Sequence, residues 1–502
     1  MRPAAPAALV ALLALTPPPT LITNARVIDG NGAPARPAAV RIEGGRIAAI
    51  GDLAPRPGEM VVDAHGLVLA PGFIDTHSHA DDELFDHPDA VAATSQGITT
   101  IVGGQDGGSF HPLADFFARL GKEPAAVNVA SYAGHGTIRA LVMGDDFRRA
   151  AGRREVRRMQ RRLVDDMRAG ALGLSTGLEY DPGIYSARPE VLALAKVAAA
   201  HGGRYISHVR SEDRYFWDAI DEIIAIGREA HLPVQVSHMK LAMRSWWGQA
   251  DRLLGQLDRA RAGGIDVTAD VYPYLYWHST LTVLFPKRDF NDLAEARLVV
   301  NEIVPPEGLL LTEYDPEPAW AGKTLAEIAT LRGEEPAVTL MELLRRAEAR
   351  RQQTGDAGES IIGTSMTEAD LERLLAWPHT NICTDGALDG SHPRGYGTYP
   401  RILGRYVRDR GVLTLEEAVH RMTGLAAAHM GFGDRGLVRA GMAADLVLFD
   451  PATIIDRATT AEPHALADGV RLVWVGGQVV FANGHATAAR PGRVLRRPVM
   501  SR

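Results

Sequence analysis

The sequence predicts an α/β fold, a (β/α)8 barrel of the TIM type joined to a small β-sandwich domain made from both chain ends. In the middle of the chain, apolar strand-like runs alternate with amphipathic helical segments, which is the pattern of parallel βα units. At both ends, short strands follow one another between glycine, proline and asparagine turns, which favours a small sheet. A chain of 502 residues is long enough for one large domain and a smaller second one.

Eight strand-like runs in the middle of the chain fit a closed barrel, in which the chemistry gathers at the carboxyl ends of the strands. The stretch at 281–363 is too long for one connection between a strand and a helix, so we expect an insertion that caps the barrel mouth. The eight runs span residues 72–79, 99–103, 126–132, 173–176, 204–208, 234–238, 266–270 and 381–385.

The division into domains follows from these patterns and from the composition of the first residues. Met1 and Arg2 precede an apolar run that ends near Leu15, which resembles a secretory signal peptide without a clear cleavage site. This run is too short for a stable membrane span, so we expect a periplasmic or secreted protein, with a cytoplasmic one as the alternative. The predicted parts are a leader at 1–19, a β-sandwich domain at 20–66 and 436–490, and a catalytic barrel at 67–435.

The net charge and the cysteine content of the chain limit which kinds of binding partner and metal site are expected. The formal net charge of −7 argues against a nucleic-acid partner, because phosphate binding needs a dense face of lysine and arginine. The arginine-rich stretch at 153–162 is best interpreted as the solvated face of an outer helix. The single cysteine, Cys383, excludes an internal disulfide and a thiolate cluster, so a metal site would have to use histidine and carboxylate ligands.

Histidines and one aspartate stand at the predicted carboxyl ends of four barrel strands. His77 and His79 alternate along the first run, so their side chains share one face, about 7 Å apart. His208 and His238 end the fifth and sixth runs, and Asp385 ends the eighth. Because a barrel brings these strand ends to one rim, the five side chains together predict a metal site.

This order of ligands on successive strands resembles the metal-dependent amidohydrolase superfamily, and within it the D-aminoacylase, or N-acyl-D-amino-acid deacylase, family. The resemblance extends over nearly all of residues 21–485, and its motifs are specific only in combination. The segments that carry it are GFIDTHSHAD at 72–81, GHGTIR at 134–139, GLSTGLEY at 173–180, YPY at 272–274 and HPRGYGTYPRILG at 392–404.

One segment departs from the family pattern. Where the family commonly has Gly-Asn-Cys-Gly after the second strand, with the cysteine as a metal ligand, this chain has Gly-Gln-Asp-Gly at 104–107. The resemblance therefore implies Asp106 as the ligand, a harder donor than a thiolate, and the alternative is an aspartate that only shapes a turn. The superfamily's carbamylated lysine has no counterpart here, which leaves Glu179 as the candidate bridging group.

The resemblance implies one or two zinc ions and a small-molecule substrate. Asp385 would be the catalytic proton acceptor and donor, because an amide nitrogen leaves poorly as an anion. The implied metal ligands are His77, His79, Asp106, His208 and His238. The candidate substrate contacts are Lys240, Arg394, Tyr180, Tyr274 and Ser279.

The function implied is hydrolysis of the amide bond of N-acyl-D-amino acids. Lys240 and Arg394 would hold the substrate carboxylate, and this anchoring could select the D configuration. The same metal chemistry also serves dipeptidases and cyclic-amide hydrolases of the dihydroorotase or hydantoinase kind. A barrel that only binds its ligand is the alternative from another class, and the intact histidines with Asp385 argue against it.

Overall fold

The computed structural model describes residues 18–497, and residues 1–17 of the predicted leader lie outside the described residues. The middle of the chain forms a (β/α)8 barrel, which confirms the predicted fold class. Its strands are Phe73–Asp75, Ile98–Gly103, Asn128–Ser131 continued by Ala133–Gly134, Gly173–Gly177, Arg204–His208, Val234–Val236, Val267–Val271 and Thr380–Ile382.

Consecutive barrel strands, from the first to the eighth, pair in parallel. The third strand pairs with the second through 128–131 and with the fourth through 133–134. Beyond the ends of the first and last strands, the amide of Asp385 donates to the carbonyl of His77, and the amide of His79 donates to that of Gly386, both at 2.9 Å. These two bonds join the first strand to the eighth and lie at the rim that carries the candidate ligands.

Amphipathic helices cover the outside of the barrel. The helix Arg153–Ala169 shows why they form: Glu155 bonds back to the amide of Gly152, and the chain ends the helix at Gly170 with a φ of 110°. Met159, Leu163 and Met167 are buried on its inner face, and most of its arginines are exposed. The other barrel helices are Val91–Thr94, Leu113–Lys122, His135–Met143, Arg188–Ala200, Phe216–Ala230, Ala250–Ala262, Glu368–Ala376, Arg394–Arg401, Leu415–Met422 and Gly424–Met430.

Strands from both chain ends form one nine-stranded sheet. The first strand of the chain, Thr20–Val27, pairs with Val68–Pro71, which in turn pairs antiparallel with Leu446–Phe449 from the far end. The sheet is therefore held together by pairing between residues almost 400 positions apart. Its other strands are Arg36–Glu43, Arg46–Gly51, Met60–Asp63, Val470–Val475, Gln478–Ala482 and His485–Ala486.

A separate unit lies between the seventh and eighth barrel strands, where the long insertion is predicted. Its three antiparallel strands bury their own apolar core against three α-helices. No helix among residues 18–497 is both long and apolar enough to cross a membrane. The strands of the insertion are Tyr276–Ser279, Leu309–Tyr314 and Glu359–Thr364, and its helices are Leu293–Leu298, Leu325–Arg332 and Pro336–Thr354.

The buried carboxyl of Glu359 in this insertion gives a testable pH dependence of stability. It accepts the amide hydrogen of Leu281, and burial raises its pKa from 4.5 to about 7. Because the pKa is higher in the folded than in the unfolded state, ionisation costs stability progressively as the pH rises from 4.5 through 7. Glu359→Gln keeps an acceptor for Leu281 and should be more stable than the wild type at pH 8 by about 1–3 kcal/mol.

Urea unfolding at pH 5 and pH 8 measures this difference. The advantage of Glu359→Gln should be small at pH 5 and close to its full value at pH 8. Glu348→Gln, in the same insertion but partly exposed, is the matched control and should show no such pH dependence. An equal effect of Glu359→Gln at both pH values would contradict the assigned cause.

Candidate metal centre

The five predicted ligands and Asp385 converge at one rim of the barrel. The Nε2 atom of His77 lies 3.3 Å from Asp385 Oδ1 and 3.5 Å from Asp106 Oδ1. His79 Nε2 lies 3.2 Å from the same Asp385 oxygen and 3.6 Å from Asp106 Oδ2. One potential ligand atom from each of His77, Asp106, His238 and Asp385 fits within a mutual distance of 4.8 Å, the separation expected for side chains around one ion.

A second group of donors adjoins the first. His208 Nδ1 lies 3.1 Å from His238 Nε2, and His208 Nε2 lies 2.9 Å from Glu179 Oε2. His238 Nε2 is also 3.3 Å from Asp106 Oδ2, so Asp106 lies between the two pairs of histidines. Two groups of donors could therefore each hold a cation: one contains His77, Asp106, His238 and Asp385, and the other contains His208, Glu212 and His238, with Glu179 at its edge.

Buried polar atoms without partners fit a metal in this cluster. Among residues 18–497, neither ring nitrogen of His77 nor Oδ1 of Asp106 has a hydrogen-bond partner, although all three atoms are buried. Unsatisfied buried polar atoms are costly, and a cation between His77 Nε2 and Asp106 Oδ1 would remove that cost for these two atoms. The donor set is entirely nitrogen and oxygen, because Cys383 is directed to Asp270 and not to the cluster.

The predicted catalytic carboxyl, Asp385, is buried and ion-paired. Burial alone would raise its pKa, but the guanidinium of Arg394 and the imidazoles of His238 and His77 hold the pKa of Asp385 well below its ordinary range. Arg394 Nη1 lies 2.7 Å from Asp385 Oδ2, while the other oxygen of Asp385 faces His77 and His79. The carboxylate therefore stays ionised with one oxygen directed at the candidate ligands.

Lys240 forms an ion pair that the sequence did not indicate. Its Nζ atom lies 2.6 and 2.8 Å from the two carboxylate oxygens of Glu212, and Glu212 Oε1 is 2.9 Å from His238 Nδ1. Glu212 comes four residues after His208, on the loop that follows the fifth strand. That position on a rim loop is the only signal in the sequence that could have pointed to it.

Two cavities meet at this cluster. The inner one, of about 50 Å³, contains Lys240, Ser279 and Glu212, and the outer one, of about 350 Å³, contains His79 and Asp106. Four residues line both cavities, namely Tyr180, His278, Asp385 and Arg394. Of these, His278 was not predicted; burial and the nearby Arg394 lower its pKa to about 4, so its imidazole is neutral.

Of the predicted substrate contacts, Tyr274 alone lines neither cavity. Its hydroxyl lies 3.3 Å from Asp456 Oδ2, and the guanidinium of Arg401 lies over its ring. Tyr272, the first tyrosine of the same Tyr-Pro-Tyr segment, lines the inner cavity instead, because it directly follows the strand Val267–Val271. Tyr180 does face the cluster, with its hydroxyl 3.1 Å from His208 Nδ1.

Three of the candidate site residues have a left-handed backbone, which side chains other than glycine seldom adopt. Their φ angles are 50° at Asp106, 32° at His238 and 50° at Asp385. The sixth and eighth strands stop at Val236 and Ile382, before the predicted ends at 238 and 385, and the left-handed residues His238 and Asp385 follow in the loops. Such strain concentrates at functional sites, where the surrounding structure holds it in place.

The turn of Asp106 depends on a close approach to Gly177. A Cβ atom at Gly177 would lie 2.1 Å from the carbonyl oxygen of Asp106, which is closer than real atoms pack. Gly177→Ala should therefore displace Asp106 and lower metal affinity by about 10-fold or more, since ligand positions are that sensitive. Competition with a chromophoric chelator measures the affinity.

Gly108→Ala is the matched control, because the nearest contact of its Cβ atom would be an ordinary 3.5 Å. It should keep the wild-type metal affinity. Circular dichroism of both variants separates a local displacement from a loss of the fold. If Gly177→Ala bound metal like the wild type, Asp106 would not depend on this contact.

Comparisons with known proteins identify one family and several similar proteins that span nearly the whole chain. The sequence pattern of the amidohydrolase family matches residues 60–380 and 384–481. An N-acyl-D-glutamate deacylase and a D-aminoacylase, both from Alcaligenes xylosoxydans xylosoxydans, are 38% and 37% identical to this chain. Each match covers 95% of this chain, with 96% and 97% of the respective relative.

Solved structures of similar proteins agree in fold over almost the whole chain. A D-aminoacylase structure has a TM-score of 0.84 and 36% identity, and covers 95% of this chain and 99% of its own. An N-acyl-D-glutamate deacylase from Bordetella bronchiseptica, complexed with zinc and a phosphonate inhibitor, has a TM-score of 0.85 with the same identity and coverage. A D-hydantoinase, at 15% identity and a TM-score of 0.56, shares the fold alone.

Proposed function

Because the chain belongs to the amidohydrolase family, we propose that it is a zinc-dependent enzyme that hydrolyses N-acyl-D-amino acids to a carboxylic acid and a free D-amino acid. The observation that carries this proposal is the cluster of His77, His79, Asp106, His208 and His238 beside Asp385, at a rim open to two cavities. The relatives that span nearly the whole chain support the substrate class.

We assign the metal to the two donor groups that Asp106 joins. His77, His79 and Asp106 would hold one ion, and His208 and His238 with Asp106 would hold a second. Bound zinc would supply a Lewis acid that polarises the amide carbonyl and makes water more acidic near neutral pH. The catalytic unit would be the barrel, predicted at 67–435, with the β-sandwich at 20–66 and 436–490 outside the chemistry.

The side chains around the candidate ligands have two further roles, proton transfer and substrate binding. Asp385 accepts a proton from the attacking water and returns it to the leaving nitrogen, for which its ionised state and its position beside the ligands are suited. Arg394 and Lys240 hold the α-carboxylate of the substrate. This contact fixes the stereocentre relative to Asp385, so the D enantiomer alone presents its amide to the ligands.

Hydrolysis of matched N-acetyl-D- and N-acetyl-L-amino acids by the zinc-loaded protein tests the proposal. Activity with the D series and little with the L series is the expected result. Activity with only the L series would overturn the substrate assignment, and activity with only dihydroorotate, hydantoin or dipeptides would overturn the reaction assignment. Metal analysis of the same preparation establishes how many zinc ions accompany the activity.

A further inference from the structure

The relatives that match this chain equally well differ in the substrate side chain named for them. They include deacylases for N-acyl-D-glutamate and N-acyl-D-aspartate as well as a D-aminoacylase, at 37–38% identity. Overall sequence similarity therefore does not show whether the substrate side chain is acidic or neutral. The charged groups of the inner cavity distinguish these two possibilities.

Lys240 is the only lysine that lines either cavity in the described part of the chain, and its charge is neutralised. Both oxygens of Glu212 lie within 2.8 Å of its Nζ atom. The pair is buried, with exposed side-chain fractions of 4% for Lys240 and 13% for Glu212. A charge compensated at this distance, away from water, attracts a second carboxylate weakly.

The charged hydrogen-bond donors left in this cavity suffice for one carboxylate. Arg394 gives one nitrogen to Asp385, and its buried Nε has no partner among residues 18–497. The Nζ atom of Lys240 lies 2.8 Å from His238 Nδ1 as well as 2.6 and 2.8 Å from the two oxygens of Glu212, so its three N–H groups already face three neighbours. The free N–H groups of Arg394 therefore bind the α-carboxylate of the substrate beside the ammonium group of Lys240, which has no N–H left for a side-chain carboxylate.

The other charged groups of the inner cavity are also paired. Asp213 accepts from Ser211 and lies 3.1 Å from Arg214, and Glu179 contacts His208. A positively charged substrate side chain would therefore find no unpaired carboxylate here. The rest of the wall carries no charge. It consists of the polar residues Tyr180, Tyr272, His278 and Ser279 and the apolar residues Ala242, Trp277, Val283, Leu284 and Ile303.

More cations line a separate, third cavity that shares only Tyr180 and Val283 with the inner one. Arg288 there is bound to Asp181 and to the backbone carbonyls of Thr282 and Glu179. The remaining cations of that cavity are Arg148, Lys287 and Arg351. They lie outside the compartment that Lys240 and Arg394 define.

We propose that Glu212 determines substrate specificity: by neutralising Lys240 it makes the amino-acid compartment select N-acyl-D-amino acids with neutral, mainly apolar side chains and reject those with a second carboxylate. This inference rests on the proposed function. Glu212 acts through Lys240 and is a positioning residue, not a catalytic one. Its removal should leave a free ammonium group that a side-chain carboxylate can bind.

The experiment compares N-acetyl-D-glutamine with N-acetyl-D-glutamate, which are nearly equal in size and differ in charge, with N-acetyl-D-methionine as the apolar reference. For the wild type, kcat/KM should favour glutamine over glutamate by about 100-fold, because an unpaired buried charge is rejected strongly. In Glu212→Gln, that ratio should fall by about 10-fold or more, chiefly through a lower KM for the glutamate substrate.

Glu348→Gln makes the same chemical change in the third cavity and should leave the ratio at its wild-type value. A wild type that prefers the glutamate substrate would overturn the inference and leave the proposed function standing. An unchanged ratio in Glu212→Gln would remove Glu212 from the role. Hydrolysis of none of the N-acetyl-D substrates would instead contradict the proposed function itself.

Competition by the free amino acids keeps the test decisive if Glu212→Gln binds zinc poorly or fails to fold. The wild-type enzyme should be inhibited by D-methionine at concentrations about 10-fold or more below those needed for D-glutamate, because both products occupy the same compartment. Stronger inhibition by D-glutamate would contradict the assigned compensation of Lys240.

Discussion

Asp385→Asn is expected to lower kcat/KM for an N-acetyl-D-amino acid by about 10²–10⁴-fold, the range typical of a lost general acid and base. Asparagine has nearly the same shape as aspartate but cannot take up a proton from water at neutral pH. The ionised oxygen of Asp385 that lies 3.3 Å from His77 Nε2 would be lost as a proton acceptor. Steady-state kinetics of the zinc-loaded variant measures the effect.

Metal content distinguishes a chemical role of Asp385 from a structural one. We expect the variant to retain zinc at the wild-type stoichiometry, because the histidines and Asp106 remain. Asp389→Asn, in the loop after Asp385 but 64% exposed, is the matched control and should keep full activity. Unaltered turnover in Asp385→Asn would exclude the residue from the chemistry.

Asp106→Ala is expected to cause the second large effect, a loss of bound zinc together with activity. Asp106 contacts His77, His79 and His238, so its removal deprives both donor groups of their shared carboxylate. We expect zinc affinity to fall by about 100-fold or more, beyond what loss of a supporting contact costs. Metal analysis after dialysis against a weak chelator measures the retained ions.

Asp106→Cys is the informative companion variant. A thiolate is a softer donor than a carboxylate and suits zinc, so this variant should retain zinc where Asp106→Ala loses it. Wild-type protein should in turn accept hard divalent ions more readily than the cysteine variant does. Full zinc retention in Asp106→Ala would show that Asp106 only shapes its turn.

The sequence alone determined the fold class and the identity of the main candidate ligands. Strand periodicity and the alternation with helices predicted the barrel, which the structure and the solved structures of relatives confirm. His208 and His238 could be chosen because each ends an apolar run, and parallel strands in a barrel end at one rim. These patterns are local, so they can be identified from a single sequence.

Only the tertiary structure decided which side chains face one another across the rim. Glu212 forms an ion pair with Lys240, and Tyr272 rather than Tyr274 lines the inner cavity. Both findings depend on how the loops that follow different strands fold back over the rim. The left-handed backbone at Asp106, His238 and Asp385 likewise needs neighbours to hold it. Periodicity records the burial of each segment, whereas charge compensation depends on distances between segments far apart in the chain.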